Sequence, residues 1–217
     1  MDQPLFSPGE AINYGWQKTK EHIAFMLAAM ILVIVIHAAL AFAQVALEDE
    51  IFLVFLMMVA GLVIGTVIEM GFFKIALKVY DGQEPDFNDL IANFHLFLYY
   101  FAAGLLYGVM VLVGVLLFII PGIILAIQFY FAFYLIVDKA MGPISALEMA
   151  SKLSRGSRWD LFVFFLALII LNIIGAMLLL IGLFATIPMS LFATAYVYRK
   201  LLEAYEAHNT ESVVASE

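Results

Sequence analysis

Glu69 is the carboxylate whose setting most demands an explanation, because it stands in the apolar stretch "IFLVFLMMVAGLVIGTVIEMGFF" that begins at Ile51. An ionisable group inside a membrane span needs a partner or marks a pathway. Counted from Ile51, Glu69 lies about 27 Å along a helix, near the far edge of a hydrocarbon layer about 30 Å thick. Pairing with an inner-side Lys or Arg, or contact with headgroup water, is the structural expectation there; a gate or ion contact is the functional one. Asp138 and Asp160 fall close to the same face, and these three carboxylates are what a lipid-acting membrane enzyme would draw on.

A second group is polar but uncharged or weakly basic. His37, Tyr107, Gln128, Asn172 and Ser190 fall on five different expected spans, and helix rise places each roughly 15 to 23 Å from the inner boundary. Facing one another, they would line a polar cavity near the midplane, as a small transporter or channel requires. Facing their neighbours singly, they supply interhelical hydrogen bonds worth about 0.6 kcal/mol each.

A third group is cationic. Lys152, Arg155 and Arg158 beside Trp159 would sit at the level of anionic headgroups, each cation contributing on the order of 1 kcal/mol. Retention of basic residues on the inner side explains them equally well.

Other chemistries find no residues to carry them. The chain has no Cys, no GxSxG elbow, no HExxH helix, no phosphate-binding loop and no Gly-rich dinucleotide fingerprint. His22, His37, His95 and His208 are scattered, and the acidic turn "LEDE" at 47–50 places adjacent side chains that rarely converge on a metal. No catalytic residue, metal site, cofactor or nucleic-acid partner is expected.

The elements that must position these groups follow from composition. Of 217 residues, 65% are hydrophobic and 13% charged, and the mean hydropathy is +1.06, far from a soluble domain. The formal net charge of -8 belongs mostly to loops and tail. The N-terminal "MDQPLFSPGEAINYGWQKTKEH" is polar and acidic, unlike a cleaved signal peptide. Leu96 to Val137 holds 42 residues without Asp, Glu, Lys or Arg, and Leu161 to Tyr198 holds 38. Either would make a helix near 60 Å, about twice a bilayer's hydrocarbon core. Each run therefore folds back, the first at a tight turn near 118–122 where Pro121 and Gly122 break the helix, the second in the stretch with Gly182 and Pro188.

Six spans result, near 22–46, 51–78, 95–117, 121–138, 160–181 and 186–205, in a single all-α bundle over 1–205, with a polar tail at 206–217. All ten Lys and Arg then fall on the inner side, so both termini are expected in the cytoplasm. Pro8, Pro85 and Pro143 each stand where an amphipathic interfacial helix begins before a hairpin, which suggests three units of lead-in plus hairpin. In the third, Ile144, Leu147, Ala150 and Leu153 form the apolar stripe. Gly61-x-x-x-Gly65 and Gly104-x-x-x-Gly108 are candidate points of close helix approach or self-association.

Three segments, "FSPGEAINYGWQKTKEH", "ALKVYDGQEPDFNDLIANF" and above all "IIPGIILAIQFYFAFYLIVDKAMGPISALEMASKLSRGSRWDLFVFFL", resemble small bacterial multi-pass proteins grouped with the glycerophosphoryl diester phosphodiesterase membrane-domain family and related uncharacterised families. The likeness implies a six-span bacterial inner-membrane protein whose activity is not established, and it carries no catalytic residues onto this chain. The leading expectation is a non-enzymatic protein that organises membrane lipids or scaffolds a membrane partner, including itself. A transporter or channel ranks second and a lipid-acting enzyme third.

Overall fold

A computed structural model of the chain describes residues 5–47 and 50–214, with side chains to residue 210. The expected acidic turn at Glu48 and Asp49 lies outside the described residues. Every regular element described is helical.

Helix α1, Pro8–Glu21, opens on Pro8 behind an extended Ser7 and carries Lys18 and Lys20 in its last turn, where the helix dipole favours cations. Lys18 Nζ donates to Glu21 Oε2 at 2.6 Å and holds that carboxyl below the usual glutamate range. A break at His22 leads into α2, Ile23–Ala46, which pairs with α3, Ile51–Tyr80. Two 3-10 segments, Phe87–Leu90 and Phe94–Leu96, precede α4, Phe97–Leu117. One extended residue, Phe118, turns the chain into α5, Ile119–Phe129. After Tyr130 and Phe131 comes α6, Ala132–Lys139, then α7, Pro143–Leu153, α8, Arg158–Met177, and α9, Leu183–Val214.

Five segments are long and apolar enough to cross a membrane: Ile23–Ala46, Ile51–Tyr80, Phe87–Leu117, Ile119–Lys139 and Arg158–Met177. The region expected as a sixth span, 186–205, is helical, but Arg199, Lys200 and Glu203 with three Tyr at 196, 198 and 205 make α9 more polar than the rest. The tail expected from 206 continues α9 as far as Val214.

The core gathers at one end of the bundle. Phe73 of α3 stacks on Tyr134 of α6 with centroids 4.4 Å apart, and Tyr134 stacks on Tyr198 of α9 at 5.4 Å. Away from it the hairpins expose apolar side chains, such as Val35 at 57%, Phe55 at 60%, Leu117 at 66% and Leu179 at 84%. Apolar surface on this scale is stable only against hydrocarbon, so the chain is an integral, multi-pass membrane protein.

Glycine sets the closest approaches, though not at the expected pairs. Gly61 and Gly108 face open space, and a Cβ at Gly65 or Gly104 would meet only ordinary contacts at 3.7 and 3.9 Å. The tight contacts join Gly114 to Gly122 and Gly175 to Gly182, across the α4–α5 and α8–α9 hairpins. Gly122 thus serves the turn by packing, whereas the chain reverses at Phe118. In the second hairpin the reversal lies at 178–182, with Leu179 and Leu180 at φ 55 and 64. Pro188 is inside α9 and does not break the chain.

Two of the three prolines open α-helices. Pro8 and Pro143 open α1 and α7, but the Pro85 segment forms the first 3-10 turn, closed by a capping box between Asp86 and Asp89. Lys78 Nζ donates to Asp89 Oδ2 at 2.7 Å, and Gly71 lies against the Leu90 backbone, so this segment folds back along α3. On α7, Leu147, Ala150 and Leu153 are buried while Ile144 is 65% exposed. The buried face packs against α4, α5 and α6.

Candidate lipid-contact corner

The α7–α8 turn is held in place from α5. Gln128 Nε2 donates to Ser151 Oγ at 2.6 Å, and Ser154 Oγ donates toward the Gln128 carbonyl at 3.3 Å and the Ala150 carbonyl at 3.0 Å. The α5–α6 break at Tyr130 and Phe131 leaves carbonyls for such partners; Ala126 O accepts from Tyr107 OH at 3.2 Å. Gly156, at φ 91, then turns the chain into α8.

From this turn Lys152, Arg155, Arg158 and Trp159 all point outward and are exposed. Lys152 and Arg155 share a cavity of about 920 Å³ with Asp160, Tyr205 and His208, and they also border a second of about 530 Å³ against Leu106 and Met110. Arg158 and Trp159 line a different groove of about 420 Å³ whose far wall is Ile120, Ile123, Ile124 and Ile127. The four residues expected at one headgroup level thus divide between a polar recess and an apolar groove, because α5 lies alongside the first turn of α8.

The five-residue polar layer also divides. Asn172 Nδ2 donates to Ser190 Oγ and to the Leu168 carbonyl, both at 2.8 Å, and this pair borders an open groove between α8 and α9. Tyr107 is taken up by the α4–α5 contact and Gln128 by the α5–α7 contact, and His37 bonds the Val33 carbonyl of its own helix at 2.8 Å. Depth along a helix fixes level but not rotation, so equal depth did not mean a common cavity.

Among the inner-face carboxylates, Asp138 Oδ2 accepts from Arg199 Nη1 at 2.8 Å and from Tyr198 OH at 2.9 Å, while Arg199 Nη2 donates to Asp81 Oδ2 at 2.6 Å. This ion network closes α3, α6 and α9 together and was missed, since nothing in the spacing of Asp81, Asp138 and Arg199 marks them as partners. Asp160 sits in the first turn of α8, where a carboxylate suits the helix dipole. Glu69 is exposed and lines a groove with His37. Among the described residues no three His, Asp or Glu stand close enough to hold a metal ion.

The chain's pairing of cations is uneven. Lys18, Lys78, Lys139, Arg199 and Lys200 each have a carboxylate within 4 Å, whereas among the described residues Lys20, Lys74, Lys152, Arg155 and Arg158 have none, and the last three of these cluster at the α7–α8 corner. No family model, curated protein or solved structure matches the chain.

Proposed function

We propose that this is a non-enzymatic six-span protein of a bacterial inner membrane, with cytoplasmic termini and α9 as its sixth span, that holds anionic phospholipid at the α7–α8 corner. The likeness to the glycerophosphoryl diester phosphodiesterase membrane-domain family belongs to the same proposal. The observation that carries it is the set of three exposed cations without carboxylate partners, within one turn whose neighbouring groove is apolar. Guanidinium groups suit a phosphate through paired N–H donors, and the isoleucine wall suits an acyl chain. The corner therefore offers both halves of a phospholipid their own surface. The transporter reading gains no observation, because its five polar side chains do not share one cavity.

The test is native mass spectrometry of the protein from bilayers containing phosphatidylglycerol and phosphatidylcholine. At about 1 kcal/mol per cation, Lys152→Gln, Arg155→Gln and Arg158→Gln together should reduce the preference for phosphatidylglycerol by roughly two orders of magnitude. A preference unchanged by the triple substitution rules the corner out.

A further inference from the structure

Two ionisable side chains lie well inside the apolar lengths of α2 and α3, and both line one cavity of about 370 Å³ between α2, α3 and α9. They are His37 and Glu69. Met26, Met30, Ile34 and Phe72 supply much of the remaining wall, and α9 adds only Ile187 and Leu191, so among the described residues no further charged side chain lines the groove. Depth counting put His37 well above Glu69; the register of the α2–α3 hairpin brings them onto one groove.

A Cβ added at Gly65 would stand 3.7 Å from His37 Nε2. That nitrogen therefore faces Gly65, and Glu69 follows on the same side of α3 one helical turn later. His37 Nδ1 lies 2.8 Å from the Val33 carbonyl oxygen. A carbonyl can only accept, so Nδ1 carries a proton, and in the neutral ring Nε2 then offers its lone pair. Among the described residues no Lys, Arg or His stands within 4 Å of Glu69. Tyr100 of α4 does not line the groove, and its buried hydroxyl has no hydrogen-bond partner among the described residues. The groove thus presents two acceptors one turn apart, one of them anionic, inside walls of methionine, isoleucine and phenylalanine. A carboxylate in such surroundings is compensated best by a cation that carries its own hydrogen-bond donors.

We propose that this groove binds a lipophilic amine, a primary or secondary ammonium ion on an apolar body. One N–H is directed to the Glu69 carboxylate and another to His37 Nε2, while the body lies along Met26, Met30 and Phe72. Methionine and aromatic walls suit such a body because they adapt to its shape and, for the ring, attract the charge.

The full-length protein in phosphatidylcholine nanodiscs, a bilayer whose lipids carry no ammonium N–H, is titrated with dansylcadaverine, which joins a primary ammonium to an apolar fluorophore. The control is dansyl hexylamide, whose chain ends in a methyl group. Saturable binding at least about tenfold tighter for the amine is expected, with Glu69→Gln abolishing the preference and His37→Phe reducing it. Equal binding of the two probes by the unaltered protein, which needs no variant to fold, overturns the proposal. So does a preference that survives both substitutions.

Discussion

Replacing Arg199 by Met should cost far more than its count of hydrogen bonds suggests, and the structure says why. The Arg199 and Asp138 side chains are 15% and 12% exposed, and the second partner of the guanidinium, Asp81, is 36% exposed. Removing the cation leaves Asp138 charged and largely enclosed, with one phenol as donor. Breaking a buried pair from one side costs roughly 3–5 kcal/mol, and the Met substitution belongs in that range. Asp138→Asn leaves Arg199 a carboxylate partner at the more open Asp81, so its cost should be nearer about 2 kcal/mol. The double substitution removes the stranded charge that makes Arg199→Met expensive. It should therefore fall short of the summed single costs by at least about 1 kcal/mol, the signature of direct coupling. Unfolding in mixed micelles as the denaturing detergent fraction rises measures all four corners of the cycle. Strict additivity, or an Arg199→Met cost below about 1 kcal/mol, would refute the account of this network.

The glycine contacts make a paired prediction. Gly71→Ala puts a methyl 2.6 Å from the Leu90 carbonyl carbon and should destabilise by about 1–3 kcal/mol, whereas Gly61→Ala, in open space, should be neutral or gain up to about 1 kcal/mol; thermal unfolding in detergent separates them. Gly122→Ala brings its Cβ 2.7 Å from the Val115 backbone nitrogen and should part α4 from α5. Because the chain has no native Cys, a cysteine pair placed on the two helices reports this as a loss of crosslinking. Asn172→Ala should cost about 0.6 kcal/mol, and no more than about 1.7, in the same unfolding assay.

The helices were legible because hydrophobicity alone fixes where a chain can cross hydrocarbon. Both reversals were legible from run length, but their chemistry was not. Pro188 drew attention as a breaker, yet two leucines in left-handed conformation make the turn, and no residue preference announces them. The glycines carried a signal of another kind. Gly114 and Gly122 stand four residues either side of Phe118, while Gly175 stands just before the 178–182 turn and Gly182 ends it. Glycines placed about a hairpin tip meet across it, which one-helix spacing such as Gly61-x-x-x-Gly65 does not reveal. For the polar residues, the missing quantity was rotation: Gln128 turns to Ser151 and Asn172 to Ser190, each set by the packing of a neighbour distant in sequence.

The seating of α1 has a consequence for the order of assembly. Ala11, Gly15 and Thr19 form its buried stripe, and Gly15 meets Met189 and Ala193 of α9. Along the chain, α1 is translated well before α9, which supplies most of the surface that covers it. While the intervening hairpins enter the bilayer, this stripe lacks its main partner, and the bundle cannot close around α1 until α9 has emerged. Arrest of synthesis before Met189 would leave hairpins already inserted beside an undocked α1, open to whatever protein attends the growing chain at the membrane surface.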